Sequence, residues 1–362
     1  MDELLRLGTE ALVSVWPEAR LTGGTQLAGS DRNVVVRAEV LGGPVTTVVV
    51  KRHVAEGGAR VREPAALECL AGTSGVPQLV AVHPAEPVMV MADLGDHPSV
   101  AHRLLGSDPF LAADGIRAWA VAVGRLHRTG ATADFAPALA RHANRLGVTS
   151  VPAVNPMPLM LADAAERLVE ILPQLDITPS VAALDQLRGI DAALGGTDAV
   201  RLLTPSDACP DNNTLTADGL ALLDFEGAQV RHVAWDAAYL TVPWPSCWCS
   251  WLMPELVAAE ALAVWTEECG LDYARTPDFQ GDLVAATVGW DFVSTSWFLE
   301  SALGADEHVQ SAPARRALIQ QRLAHAATAP GFEALGSLAA EVLSATRGAW
   351  GDLPVALAPA FS

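Results

Sequence analysis

Lysine is almost absent from this chain: of 23 basic residues only Lys51 is not an arginine. It closes the β-branched run Val45-Thr46-Thr47-Val48-Val49-Val50. A compact ammonium kept at the end of a buried strand, where arginine serves everywhere else, points to a phosphate, which lysine approaches as a point charge. Chance usage is the competing reading. Basic clusters are also missing and the net charge is −19 at pH 7, which weighs against nucleic acid because displacing counterions needs grouped Lys and Arg. The carboxylate surplus fits a cationic ligand, or simply solubility. No apolar run reaches the ~18–20 uncharged residues of a membrane span, so no membrane association is expected. Five scattered cysteines, an odd number, read as reduced thiols rather than a disulfide framework. Met1–Arg6 offers neither a basic nor an apolar leader segment, so a cytoplasmic location is expected.

What is present divides in two. The 362 residues leave room for two core-forming units. From about Gly23 to Met91 the pattern is short strands with one helix. Asn33–Val40 and Val45–Lys51 flank the turn Leu41-Gly42-Gly43-Pro44, a hairpin signal. A helix is expected over Arg62–Leu70, with Pro64 in its first turn. The apolar runs Gln78–Val82 and Val88–Met91 complete a small mixed sheet. Beyond Ala92-Asp93-Leu94-Gly95 long helical periods dominate, at Ile116–Arg128, Leu159–Leu172 and Leu252–Glu268. Two strand signals, Val200–Leu203 and Leu220–Leu223, interrupt them and bracket polar loops.

Those loops carry the chemistry. Pro205-Ser206-Asp207-Ala208-Cys209-Pro210-Asp211-Asn212 follows the first strand and Asp224-Phe225-Glu226 the second. A carboxylate at Asp224 and a carbonyl oxygen at Asn212 are hard donors suited to Mg²⁺ beside phosphate oxygens. Asp207 is placed to orient an acceptor hydroxyl and take its proton.

This pattern, Asp207-x4-Asn212 followed by Asp224-Phe225-Glu226, resembles the catalytic and metal loops of the aminoglycoside phosphotransferase and choline kinase-like family. The resemblance covers most of the chain. It implies an α+β, two-lobed protein-kinase-like fold: a nucleotide-binding lobe over 1–91, a hinge over 92–96, and a large, mainly helical lobe over 97–362 whose catalytic loops span 205–226. It further implies that Glu63 partners Lys51, that Met91, Ala92 and Leu94 form the nucleotide hinge, and that Leu27–Asn33, with Gly29 and Ser30, covers the phosphates. Asp236 is implied to brace the catalytic loop by accepting backbone N–H groups, and Leu126-His127 resembles the end of the helix before that loop. ATP, or another nucleoside triphosphate, and Mg²⁺ are the implied cofactors. Three features depart from the pattern. Pro205-Ser206-Asp207 replaces His-Gly-Asp, so the histidine that braces the loop is missing; the phosphate turn has one glycine; and Glu226 stands where protein kinases have glycine.

Bland readings compete with each of these. Lys51 and Glu63 are a surface ion pair, Asp207 a turn or cap, Asn212 and Asp224 turn residues, His127 a buried structural histidine. Trp244-Pro245-Ser246-Cys247-Trp248-Cys249-Ser250-Trp251 is either an aromatic wall for the acceptor or core packing. Its two cysteines are too few for zinc unless His232 or Cys209 comes near. Asp211, Glu226, Trp290, Asp291 and Glu300 are candidates for binding the acceptor. The expected protein is a phosphotransferase, monomer or homodimer, acting on a small-molecule acceptor that is cationic or amino-bearing, an amino sugar such as glucosamine or an aminoglycoside. Alternatives are an inactive nucleotide-binding protein and, third, a protein-directed kinase or nucleotidyltransferase.

Overall fold

The computed structural model describes residues 1–29, 32–149, 151, 156–304 and 312–362. Its first helix, α1 (Asp2–Leu12), presents Leu4, Leu7, Ala11 and Leu12 to one side, the 3–4 residue spacing of an amphipathic helix. That stripe covers a sheet formed by β1 (Arg20–Gly29), β2 (Asn33–Leu41), β3 (Thr47–His53), β4 (Leu79–Val82) and β5 (Val88–Ala92), in the order β1-β2-β3-β5-β4. Every pairing is antiparallel, so the sheet is not mixed as expected: after α2 (Ala59–Cys69) the chain enters at the edge as β4 and returns beside β3 as β5. The β2–β3 turn needs glycine at position 42, where φ is +74° and a Cβ would stand 2.4 Å from the Glu18 carbonyl oxygen.

Strand periodicity decides what faces where. Val36, Val48, Val50, Val88 and Val90 turn into the small core under α1. Their alternates Val35, Arg37, Val49 and Lys51 turn to the other face, onto a cleft. Helix α2 starts three residues before the expected Arg62, so Pro64 is its sixth residue, inside the helix rather than in its first turn. The side of the sheet and helix away from α1 belongs to the larger core: Leu67, Leu70, Met89 and Met91 pack with the helical lobe. Two ties strengthen that contact. Arg62 donates to the Ala228 carbonyl at 2.9 Å, and Glu68 meets His142 at 2.8 Å and also Arg141.

The helical lobe comprises α3 (Val100–Leu104), α4 (Pro109–Arg128), α5 (Thr132–Arg145), α6 (Met157–Ile171) and α7 (Val181–Ala193) before the loops. Helix α4 begins at a good stop-and-start signal, Asp108 accepting from the N–H groups of Phe110 and Leu111 with Pro109 at the first position. The two strand signals do not pair with each other: β6 (Arg201–Thr204) is joined by a later strand, and β7 (Asn213–Thr216) forms a hairpin with β8 (Gly219–Leu222). The later strand is β9 (Gln229–His232). After the short α8 (Ala234–Ala237) come α9 (Glu255–Cys269), α10 (Pro277–Gly304), α11 (Arg315–Ala326) and α12 (Glu333–Trp350). The 28-residue α10 is buried on all sides over 285–296 and runs through the core. No helix among the described residues is long and apolar enough to cross a membrane.

Candidate active site

A cleft of about 310 Å³ lies between the sheet and the loops that follow β6 and β8. Val35, Val49, Met91 and Leu223 supply apolar walls, and Ala92, Asp93, Leu94 and Gly95 its rear edge. Asp93 forms an ion pair with Arg37, Nε at 2.8 Å, and accepts from the Gly95 N–H at 3.0 Å, which fixes that edge.

At the floor, Lys51 Nζ stands 2.7 Å from both Glu63 and Asp224, a contact between residues 173 apart. His53 Nε2 lies 3.0 Å from the same Glu63 carboxylate. Burial alone would discharge the Lys51 ammonium, but Glu63 and Asp224 outweigh it and raise its pKa. Glu63, fully enclosed, feels burial pushing its carboxyl up, yet Lys51 and His53 hold it down at about 2. The group is therefore a charged ammonium between two carboxylates and not an exposed pair; the side chain of Asp224 is 31% exposed to the cleft.

The loop after β6 carries Asp207. Its carboxylate accepts from Ser246 Oγ at 2.8 Å. Burial raises its pKa, with the nearby charges of Asp211 and Asp224 adding to the rise and hydrogen bonds from Cys209 and Ser246 opposing it. Asn212 Nδ2 donates to the Asp207 carbonyl at 3.0 Å, leaving its Oδ1 as the available donor atom for a cation. Asn212, Asp211 and Asp224 all line the cleft.

Ser206 and Asp224 both have φ in the left-handed region, +72° and +60°, where a Cβ is strained. The hydroxyl of Ser206 accepts from Gln229 Nε2 at 2.7 Å, and its carbonyl from Arg231 at 2.8 Å. Arg231 in turn donates to Asp236, which also accepts from Thr204 Oγ1 at 2.9 Å and meets His127 Nε2 at 3.0 Å. Burial pushes the Asp236 carboxyl up, but Arg231 and His127 draw it well below the usual range. The expected role of Asp236 needs correcting in detail: its described partners are side chains rather than backbone N–H groups. This chain of polar contacts ties the loop after β6 to β9 and α8. Residue-by-residue reading missed Gln229 and Arg231, because only the pairing of β9 with β6, Thr204 opposite Gln229, brings them beneath the loop.

Of the other sequence candidates, Gly29 ends β1 and Ser30 lies outside the described residues. Glu226 is engaged with Arg32 at 2.8 Å and Asn33 at 3.4 Å, linking the second loop to the β1–β2 end of the sheet. Trp290, Asp291 and Glu300 do not line this cleft. Trp290 is core: its Nε1 donates to the Trp235 carbonyl and its ring meets Tyr239 edge-on at 5.6 Å. Asp291 is 2% exposed and meets His325 at 2.6 Å; burial pushes its carboxyl up to about 6, with His325 opposing. Burial of α10 on all sides explains both. Glu300 lies near the C-terminal end of the same helix. The tryptophan-rich segment splits. Trp244 packs edge-on against Trp119 at 5.3 Å in the core, whereas Trp248 is 43% exposed and its indole N–H donates to Asp211 at 2.7 Å.

No protein-family model matches the chain, and no curated relative matches it. Solved structures do. A choline/ethanolamine kinase family protein from Mesorhizobium loti is 18% identical, with a TM-score of 0.51 over 90% of this chain and 93% of that one. A candidate aminoglycoside phosphotransferase from Ralstonia eutropha is 14% identical, with a TM-score of 0.53 over 91% and 93%. An ethanolamine kinase from Plasmodium vivax is 10% identical, with a TM-score of 0.50 over 84% and 80%. With its five-stranded sheet and large helical lobe, the chain has the two-lobed α+β fold of these kinase-like structures.

Proposed function

We propose that the protein transfers the γ-phosphoryl group of a nucleoside triphosphate, ATP in the first instance, to a hydroxyl of a small amino-bearing or cationic metabolite. The observation that carries this reading is the Lys51 ammonium at the cleft floor, 2.7 Å from Glu63 and from Asp224. The purine would lie between Val35, Val49, Met91 and Leu223, against the 92–95 edge, with Lys51 drawing the phosphates inward. Asn212 Oδ1 and Asp224 offer hard oxygen donors that fit Mg²⁺, which when bound neutralises triphosphate charge. Asp207 would orient the acceptor hydroxyl and receive its proton; its raised pKa makes it a better base than an ordinary carboxylate. Ser246 holds the Asp207 carboxylate in position. Phosphoryl transfer is mostly placement and charge stabilisation, so these few groups suffice.

For the acceptor, Asp211, which lines the cleft, and the exposed ring of Trp248 that donates to it would suit an ammonium group. The net charge of −19 draws cations, and the structural neighbours are named for choline, ethanolamine and aminoglycosides, all alcohols that carry a cationic nitrogen at neutral pH. The inactive reading rested on the absent histidine; the contacts of Ser206 with Gln229 and Arg231 favour an ordered loop instead. An ADP-release screen over hydroxylated compounds tests the acceptor class. Amine-bearing alcohols should exceed neutral sugars by about tenfold or more in kcat/KM, and Trp248→Ala should raise the acceptor KM while leaving the ATP KM unchanged. Equal rates with neutral sugars would refute a cationic acceptor.

A further inference from the structure

Beside the cleft, and sharing Asp211 with the proposed acceptor site, three of the five cysteines converge. Cys209, in the loop after β6, meets Cys247 and the carboxylate of Asp211, so that the two sulfurs and a carboxylate oxygen all lie within 4.8 Å of one another. Asp211 Oδ1 is 3.4 Å from Cys247 Sγ. A third thiol, Cys249 Sγ, stands 2.9 Å from Cys247 Sγ. Cys209, Cys247 and Cys249 are 3%, 4% and 0% exposed, while Asp211 lines the cleft, which gives an entry path for an ion.

Thiols are weak hydrogen-bonding groups, and packing three of them with a carboxylate leaves a polar cluster with few strong bonds inside an aromatic layer. Two arrangements satisfy such a cluster: a disulfide, or a cation. The 2.9 Å between Cys247 and Cys249 is well beyond the bonded length of about 2.05 Å, and a disulfide there would leave Cys209 and Asp211 unexplained. A tetrahedral zinc ion with sulfur ligands at about 2.3 Å sets its donors roughly 3.8 Å apart. No two of the Cys209, Cys247 and Asp211 donors are more than 4.8 Å apart, so that spacing needs inward shifts of at most about 1 Å, whereas Cys247 and Cys249, at 2.9 Å, would part by about as much if both bound. Thiolate donors select a soft or borderline ion over Mg²⁺.

We infer that Cys209, Cys247 and Asp211 form a binding site for a thiophilic divalent cation of the zinc class, with Cys249 or a water as fourth ligand. On binding, each ligating thiol loses its proton to solvent as the metal–sulfur bond forms. The ion would fasten the loop bearing Asp207 to the 244–251 segment, which already meet through Ser246 and Trp248.

The test is titration of the full-length, reduced, metal-stripped protein with Co²⁺, followed by absorbance. A tetrahedral thiolate site should give a thiolate-to-cobalt band and visible d–d bands at one ion per chain, abolished by adding Zn²⁺. Cys209→Ser and Cys247→Ser should each weaken cobalt binding by about a hundredfold or more, with circular dichroism unchanged. Cys69→Ser, a half-buried thiol on α2, should leave it intact. Absence of these bands in the wild-type chain at millimolar Co²⁺ overturns the inference, as does their persistence in both serine variants.

Discussion

Ser206 shows how one residue settles the character of the loop. Its φ of +72° suits glycine, yet the serine hydroxyl is used by Gln229 and Arg231. Replacing the serine isolates the two effects. Ser206→Ala keeps the strain and loses the hydroxyl, whereas Ser206→Gly loses the hydroxyl and removes the strain. Ser206→Ala should therefore be less stable than Ser206→Gly by about 1 kcal/mol in chemical denaturation, reversing the usual order of these two residues in regular structure. Equal midpoints would mean that the backbone there is relaxed. At this scale the sequence was informative for Lys51, Asp207, Asn212 and Asp224, because each stands at a strand end or in a short polar loop that its neighbours announce. Cys209 was flagged only conditionally, and Arg231 not at all, since nothing local marks a residue whose partner is supplied by another strand.

At the scale of elements, close approach matters more than composition. Helices α4 and α9 cross at Gly124, where a Cβ would meet Glu268 Cβ at 2.8 Å and the backbone of Trp265 and Cys269 at 3.1 Å. Because backbone atoms cannot rotate away, Gly124→Ala should cost about 1–3 kcal/mol, despite the better helix propensity of alanine. A denaturation midpoint equal to wild type would contradict that packing. The same crossing positions His127 under the loop, with Trp265 donating to its Nδ1 at 3.2 Å. Period alone made β2 to β6, β8 and the helices α4, α6 and α9 readable, whereas β1, β7, β9, α1 and the long α10 and α12 were not named, and the first turn of α2 precedes the segment that looks helical. Burial on α10 was unreadable because its polar and apolar residues are mixed around the helix with no one-sided stripe, and so Trp290 and Asp291 were offered as acceptor-binding candidates, although neither lines the cleft.

For the whole molecule, the buried carboxylates predict how stability responds to acid. Glu63 is held near 2 against an ordinary 4.5, and Asp236 is depressed as well. The native chain then binds fewer protons at these groups than the unfolded chain, so their stabilisation is full above the ordinary carboxylate value and is lost as pH falls through the native one. The melting temperature should drop steeply as pH goes from 4.5 towards about 2, and Glu63→Gln should reduce that slope; a pH-independent melting temperature in this window would contradict the charged assignment. The two-lobed architecture was implied by the resemblance of the loops, beside a change from strand to helix period near residue 92, although the larger core also takes in α2 and one face of β5. The account as a whole depends on Asp207 serving a phosphoryl group held by Lys51 and its carboxylates. The direct measurement is turnover and ATP affinity in Asp207→Asn: the expected result is a fall in kcat of about 10²–10⁴ with ATP binding within about threefold of wild type, and undiminished turnover would contradict it.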